Sequence, residues 1–198
     1  MKVAPDTEQL VLQRMEESME VNRSLLKNAH FVTLVSDVGL AMTQSLRNGG
    51  TVFFFGNGGS AADSQHLAAE LAGRYLIERR ALRGVALSTN TSCLTAIGND
   101  YGYDLVFARQ LEALGSPGDV AVGISTSGNS KNVLRAIEVA KEKEMITVGM
   151  TGEHGGEVRR LVDYCLCISS DQTPRIQEAH IMIGHILCEI VEQQLFTC

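Results

Sequence analysis

The sequence predicts an α/β protein: a three-layer, doubly wound, five-stranded parallel sheet preceded by two N-terminal helices. From residue 51 onward, short apolar segments rich in β-branched residues alternate with helical stripes. Two of these strands turn directly into helices through loops of small residues. The chain has 198 residues, of which 44% are hydrophobic. We therefore expect a single domain over 1–198, with a helical pair in 1–50 and an α/β core and C-terminal helix in 51–198.

Residues 6–50 are predicted to form two helices. An apolar stripe with a period of four residues runs through 11–19, a break follows near Asn28, and a second stripe runs through 31–46. Two consecutive glycines, at 49 and 50, end the second helix. The first helix precedes every strand. It either covers one face of its own sheet or packs against another subunit.

The remaining elements follow in alternation. The last helix begins near Thr173, with Thr173 as its N-cap and Pro174 in its first turn, and continues to the C-terminus. The predicted strands are 51–55, 84–88, 119–124, 145–149 and 163–168, and the helices between them are 61–73, parts of 91–114, 129–142 and 155–161.

The strand at 119–124 leads into six small polar residues, 125–130, and then into a helix with Val133, Ile137 and Ala140 on one face. The free N–H groups and the macrodipole of a helix N-terminus attract anions, and four hydroxyls in this loop add hydrogen-bond donors. The loop lacks the Gly-Lys-Ser/Thr ending of a nucleotide-binding P-loop. Alone, the pattern fits either a phosphate site or an ordinary serine-rich helix cap.

A second strand-to-helix turn of this kind lies at 51–72. Its loop is Gly56-Asn57-Gly58-Gly59-Ser60, and the three glycines allow close approach of a ligand to the backbone. In a parallel sheet both loops would lie at the carboxyl edge, where open α/β sheets bind ligands. The second loop shifts the balance toward a ligand site.

The helix after this loop carries His66 and Glu70, four residues apart and therefore on one face. This spacing occurs in zinc sites, although such a pair is more often only hydrogen-bonded or solvated. The last helix adds Gln177 and His185, about 12 Å apart along the axis, a spacing that permits a shared ion without requiring it. His180 lies about 140° around the helix from His185 and is assigned to packing or an interface.

Composition excludes several classes of function. The net charge is −6 and no basic cluster stands out, which argues against nucleic-acid binding. No run of eighteen apolar residues and no apolar signal core is present, so we expect a cytoplasmic protein that does not bind membranes. Five cysteines without a CxxC pair predict reduced, mostly buried thiols; Cys165 and Cys167 should face the same side of a strand.

Four motifs resemble the sugar isomerase (SIS) domain, over about residues 30–195: FGNGGSAADSQHLAAEL, AIGNDYGYD, GISTSGNS and TPRIQEAHIMIGH. Within that superfamily they are similar to the bacterial phosphoheptose isomerases. This resemblance implies conversion of sedoheptulose 7-phosphate to D-glycero-D-manno-heptose 7-phosphate through an enediol(ate), for bacterial heptose in lipopolysaccharide or surface glycans. It also implies a homo-oligomer, most simply a tetramer, with the N-terminal helices against neighbouring subunits.

The resemblance also implies roles for individual residues. Glu70 and His185 match the acid–base pair of the family. Without the resemblance, Asn99-Asp100 after Gly98 would be interpreted as an ordinary turn. The segment 169–174 departs from the pattern of the family. The matched zinc ligands, one ion per subunit, are His66, Glu70, Gln177 and His185, and the matched substrate-binding residues are Asn57, Gly58, Gly59, Glu70, Asn99, Asp100, Ser125, Thr126, Ser127, Ser130 and Gln177.

The sequence leaves three alternative functions open. A non-enzymatic SIS adaptor of the replication-initiator-associating type keeps the anion loops but loses the acid–base residues, whereas here those positions carry competent side chains. SIS-domain transcription regulators need a DNA-binding helix-turn-helix domain, and no basic recognition helix precedes the first strand. A different sugar phosphate is the third alternative, because the loops select phosphate more strongly than carbon number.

Overall fold

The computed structural model describes residues 6–197. Five parallel strands form one sheet in the order β2-β1-β3-β4-β5, with helices on both faces. This confirms the predicted fold class. The strands are β1 (Val52–Gly56), β2 (Gly84–Ala86), β3 (Val120–Ser125), β4 (Ile146–Thr151) and β5 (Tyr164–Cys167).

Residues 6–197 contain eight α-helices. One core layer contains buried residues of α2, α3 and α8, and the other contains buried residues of α5 and α6. The helices are α1 (Thr7–Lys27), α2 (Ala29–Arg47), α3 (Gly59–Ala72), α4 (Thr91–Tyr101), α5 (Ala108–Leu114), α6 (Lys131–Glu142), α7 (Val158–Leu161) and α8 (Thr173–Phe196).

Strand β1 shows why the sheet is buried on both sides. Phe54 contributes to the core on the α2, α3 and α8 side, whereas Phe53 and Phe55 contribute to the opposite core. Alternate side chains of a strand point to opposite faces, so a run of three phenylalanines fills both layers. All five residues of β1 are buried.

The break between the first two helices falls at Asn28, as predicted. Its backbone N–H donates to Leu25 O, and its side chain accepts from the N–H of Phe31. One residue therefore ends α1 and caps α2.

One local prediction is wrong. Gln172, with extended backbone, is the N-cap of α8, and Thr173 is its first helical residue. Asn99 and Asp100 lie in the last turn of α4, within the range 91–114 where helix was predicted, and do not form the ordinary turn that the pair alone would suggest. Asn90 caps α4 through its side chain, and the helix continues until Gly102, whose φ of 89° suits glycine.

Among residues 6–197, no helix combines the length and apolarity required to span a bilayer.

Candidate active site

The turn between β1 and α3 brings the backbone of α3 against α8. Gly58 has φ of +58°, a conformation that favours glycine, and Gly59 is the first residue of α3. A Cβ on Gly59 would collide with the side-chain amide of Gln177 on α8. The predicted substrate loop and Gln177 are therefore in direct contact.

A second glycine sets the spacing of α3 and α8 two turns further on. A Cβ on Gly184 would lie 2.6 Å from Leu67 Cδ2, so only glycine allows this approach. Gly184 precedes His185, and Leu67 follows His66. The close approach of the two helices places these histidines opposite each other.

His66, Glu70 and His185 converge at this contact. His66 Nε2 lies 2.8 Å from His185 Nε2 and 3.2 Å from Glu70 Oε1. One ligand atom from each of the three side chains lies within 4.8 Å of the other two. The His66 side chain is 47% exposed and that of Glu70 is 20% exposed, so a ligand can reach the cluster.

The three donors fit a metal ion. Two imidazole nitrogens and a carboxylate oxygen form a donor set that zinc accepts, and catalytic zinc sites commonly use three protein ligands and leave one position open. Gln177, the fourth predicted ligand, lies against Gly59, and among residues 6–197 no hydrogen bond joins its side chain to the cluster.

Tyr75 is a site residue that the sequence analysis missed. Its ring stacks on His185, with ring centroids 5.7 Å apart and an interplanar angle of 25°. Burial, followed by the charge of Glu189, raises the pKa of Tyr75, so its phenol stays protonated at neutral pH. Tyr75 lies in an irregular segment without a motif, and no local pattern predicts this contact.

An ion pair fixes the segment that carries Tyr75. Glu192 on α8 accepts hydrogen bonds from the N–H groups of Tyr75, Leu76 and Ile77, and from Arg79 Nε at 3.0 Å. The side chains of Arg79 and Glu192 are only 1% and 3% exposed. Burial raises the pKa of Glu192, but the three N–H groups and Arg79 together outweigh burial and lower this pKa. In the sequence, the feature that could have indicated this pair was Glu192, a carboxylate within the apolar pattern of the last helix.

Asp63 is a second residue near the cluster that was not predicted from the sequence. It precedes His66 by three positions, and its Oδ2 is buried without a hydrogen-bond partner among residues 6–197. Burial raises the pKa of Asp63, and the attraction of His66 partly opposes this effect. The i, i+3 spacing from His66 could have indicated it.

The loop at 125–130 joins β3 to the N-terminus of α6, as predicted. Ser125 Oγ lies 3.0 Å from Ser130 Oγ and 3.5 Å from Ser127 Oγ, so the hydroxyls form one cluster. Ser130 is the N-cap of α6, yet its side chain makes no capping hydrogen bond. The N–H groups of the first turn are thus available to an anion. Thr126 continues the loop, and its carbonyl accepts from Gly152 N–H.

The two loops are joined by a pair of amides. Asn57 and Asn132 exchange hydrogen bonds of 2.9 and 2.8 Å, and Tyr103 Oη lies 3.4 Å from Asn57 Oδ1. Asn132 is buried in the first turn of α6. It was missed because its partner lies 75 residues away in the chain.

Asn99 and Asp100 remain apart from this arrangement. Both are exposed, and Asn99 Nδ2 donates to Asp100 Oδ1 at 2.7 Å. Within residues 6–197, their side chains make no hydrogen bond to another predicted site residue. Their substrate contact stays a prediction.

The remaining histidines are not part of the cluster. His180 is buried, with Nε2 3.2 Å from Thr151 O, in agreement with the assignment to packing. His30 and His154 are exposed.

Comparison with known proteins agrees with this fold. The family model of the SIS domain matches residues 21–152. Phosphoheptose isomerase 2 of Campylobacter jejuni is 51% identical over 180 residues, which cover 91% of this chain and 90% of the relative. The solved phosphoheptose isomerase of Neisseria gonorrhoeae superposes with a TM-score of 0.87 at 41% identity, covering 95% of this chain and all of that one. That of Francisella tularensis superposes with a TM-score of 0.89 at 33% identity, covering 95% of this chain and 99% of that one.

The chain therefore belongs to the SIS domain family. Within it, the chain is a member of the phosphoheptose isomerase family, a family of enzymes. The predictions of the family and of an enzyme are confirmed.

Proposed function

We propose that this chain is an aldose–ketose isomerase that converts sedoheptulose 7-phosphate to D-glycero-D-manno-heptose 7-phosphate. The observation that carries the proposal is the convergence of His66, Glu70 and His185. His66 and Glu70 lie on α3, the helix that follows the glycine loop, and His185 lies on α8, the helix that faces it. A hydroxyl-lined helix N-terminus lies at the neighbouring strand β3. A cluster of side chains that can bind a metal and a loop that can bind phosphate together suit a phosphorylated sugar as substrate.

Isomerisation moves one proton between C1 and C2 and a second proton between the two oxygens. We assign Glu70 as the base that takes the C1 proton of the ketose and returns it to C2 through a cis-enediol(ate). His185 exchanges the oxygen-bound proton, because imidazole can both donate and accept a proton. Tyr75 stacks on the His185 ring and restricts its orientation.

Zinc is the proposed metal, held by His66, Glu70 and His185 with Gln177 as a further ligand. When bound, it supplies a Lewis acid that polarises the carbonyl.

The serine loop positions the other end of the sugar. Ser125, Thr126, Ser127 and Ser130 are proposed to hold the phosphate at the N-terminus of α6. Asn57, Gly58 and Gly59 are proposed to contact the sugar, and the Asn57–Asn132 pair keeps the two loops at a fixed distance. Binding energy from the remote phosphate places C1 and C2 at the cluster and thereby lowers the barrier.

The setting of this reaction is also part of the proposal. We infer bacterial heptose biosynthesis for lipopolysaccharide or surface glycans, carried out in the cytoplasm. We also infer a homotetramer, because α1 and α2 carry exposed apolar side chains, including Leu26 at 76% and Val32 at 50% exposure. Soluble chains seldom leave such a face without a partner.

The test is turnover of sedoheptulose 7-phosphate by the purified protein, measured before and after a chelator and after zinc is restored. We expect isomerisation that the chelator abolishes and zinc restores. A protein inert toward every ketose phosphate, even with zinc, would support the adaptor function. Activity that is unaffected by chelation would refute the metal assignment while leaving the isomerase proposal intact.

A further inference from the structure

Two cysteines lie side by side near the end of β5, outside the proposed active site. Cys165 and Cys167 project from the same face of the strand, and their Sγ atoms are 3.5 Å apart. Thr151 Oγ1 lies 3.4 Å from Cys167 Sγ and 3.7 Å from Cys165 Sγ. Both cysteines are half-buried, so a small reagent can reach them.

The two thiols are electrostatically different. The hydrogen bond from Cys165 lowers the pKa of Cys167, and the hydroxyl of Thr151 and the charge of Arg159 act in the same direction against burial. The same hydrogen bond, together with burial, raises the pKa of Cys165. Thr151 Oγ1 also donates to Cys167 Sγ at 3.4 Å, which favours Cys167 as the nucleophilic thiolate and Cys165 as the neutral thiol beside it.

A disulfide between the two cysteines requires β5 to pucker, because Cβ atoms two residues apart on one face of a strand start further apart than the ~3.5–4.5 Å of a disulfide. Residues two apart on a strand have Cα atoms about 6.4–6.8 Å apart, the upper end of the range for disulfides. Strand β5 is at the edge of the sheet, with β4 on one side only, so it can pucker. A disulfide near this limit is strained and easily reduced.

The structure assigns Cys165 and Cys167 as a redox-sensitive dithiol, oxidised by a peroxide-class reagent to an intramolecular disulfide. The Cys167 thiolate attacks one peroxide oxygen and breaks the O–O bond, which gives a Cys167 sulfenic acid and, with one proton, water. The Cys165 sulfur then displaces hydroxide from that sulfenic acid. The S–S bond forms, and the thiol proton leaves with hydroxide as a second water. Two thiols are oxidised and one peroxide is reduced.

The other described cysteines lack this arrangement. Cys188 is buried in α8, and burial raises its pKa to about 12, so it is a poor nucleophile. Cys93 is half-buried in α4, and no second sulfur is among its hydrogen-bond partners. We therefore expect the pair in β5 to react first.

Oxidation of the pair can change the active site through the connection between β5 and α8. This consequence rests on the proposed function. Closing the disulfide draws Cys165 and Cys167 together and puckers β5. The strand leads through residues 168–172 into α8, which carries Gln177 and His185. Glu153 N–H also donates to Ser170 O, which ties this connection to the end of β4. Oxidation is expected to lower turnover reversibly.

The test is peptide mass analysis after limited hydrogen peroxide, alkylation and trypsin. Peptide 161–175 holds both cysteines of the pair, and peptide 84–109 holds Cys93 as an internal reference. We expect peptide 161–175 to become lighter by two hydrogen atoms and to resist alkylation before peptide 84–109 reacts. Dithiothreitol should restore both thiols. Oxidation of Cys93 ahead of the pair, or a disulfide to a different cysteine, would overturn the proposal.

Two variants complete the test. In Cys165→Ser, oxidation should stop at oxidised Cys167 and form no disulfide. In Cys167→Ser, Cys165 should remain a free thiol that is fully alkylated after the same dose of hydrogen peroxide. Turnover of wild type should fall with the fraction of disulfide, while Cys167→Ser stays insensitive. A disulfide that forms without a change in turnover would refute the link to the site. The mass result is independent of the isomerase proposal, so failure of one is distinguishable from failure of the other.

Discussion

Single hydroxyls in the loop before α6 carry the proposed phosphate contact. Ser127→Ala and Ser130→Ala should each raise KM for sedoheptulose 7-phosphate. A lost hydrogen bond to a charged partner costs about 1.5–3 kcal/mol, roughly 10- to 150-fold. Steady-state kinetics check this, with Ser24→Ala on α1 as the control because, among residues 6–197, its hydroxyl bonds to Val21 O alone. Unchanged KM in both loop variants would place the phosphate elsewhere.

A second prediction at this scale concerns the pH dependence of stability. Burial lowers the pKa of His180 from 6.5 to about 4, against the hydrogen bond to Thr151. Because the folded pKa lies below the unfolded one, the stabilising effect is complete above pH 6.5 and is lost as pH falls toward 4. The loss is about 3 kcal/mol at 1.36 kcal/mol per pKa unit.

Denaturant unfolding of wild type and His180→Gln at pH 7 and at pH 4.5 measures this contribution. Gln keeps an amide donor for Thr151 O but does not titrate in this range. The variant should lose clearly less stability than wild type on acidification. Equal losses in the two proteins would show that His180 does not contribute.

At the scale of elements, Glu192 and Arg79 join α8 to the segment that holds Tyr75 over His185. Glu192→Gln leaves the Arg79 charge buried and unpaired, and breaking a buried pair costs about 3–5 kcal/mol. The free energy of unfolding should fall by this order. Turnover should fall as well at temperatures where the variant is folded, since Tyr75 loses its anchor.

The matched control for Glu192 is Glu138→Gln on α6, where the carboxylate pairs with Arg135 at the surface. It should change stability by less than 1 kcal/mol, in the range of surface substitutions. If Glu192→Gln is as stable and as active as this control, the ion pair does not position Tyr75.

The whole-molecule prediction concerns assembly. A groove of about 590 Å³ runs between α1, α2 and α8, with Leu26, Val32 and Ile186 among the apolar residues lining it. We expect a second copy of the chain to fill it, and light scattering should give a tetramer at micromolar concentration. A monomeric wild type would contradict this.

A charge in the groove provides the variant test of assembly. Ile186→Glu should yield smaller species, because an unpaired carboxylate is costly to bury in an apolar interface. Leu114→Glu on α5 is the control: Leu114 is 55% exposed and lies outside the groove. It should leave the assembly unchanged. Identical assembly of both variants would show that the groove is not an interface.

The sequence predicted the sheet because burial on both faces leaves a clear pattern. Apolar β-branched runs recur between helical stripes, and Asn28 interrupts the first pair of helices as expected. His66 and Glu70 were also within reach of sequence reasoning, because a spacing of four on one helix is a local property. In contrast, the approach of His185 depends on how closely α3 and α8 pack at Gly184.

Long-range contacts could not be predicted from the sequence, for a physical reason. The hydrogen bond between Arg79 and Glu192 spans 113 residues, and the Asn57–Asn132 pair spans 75. Such pairs form only once the sheet has placed their elements together, so no local pattern contains them. The error at Thr173 is different: Ser, Thr and Asn are preferred caps, but extended backbone at Gln172 started the helix one residue earlier.

The proposed isomerisation requires Glu70 to remove a proton from carbon. Glu70→Gln keeps the shape and helix propensity of the residue but removes its charge and basicity, so α3 should stay intact. Turnover of sedoheptulose 7-phosphate should fall by at least ~10²-fold, the low end of what general-base catalysis contributes. Substrate affinity should change much less, because the phosphate loop is untouched. Glu138→Gln, on the surface of α6, is the matched control and should retain wild-type turnover. A Glu70→Gln enzyme with turnover near that of this control would show that Glu70 is not the base.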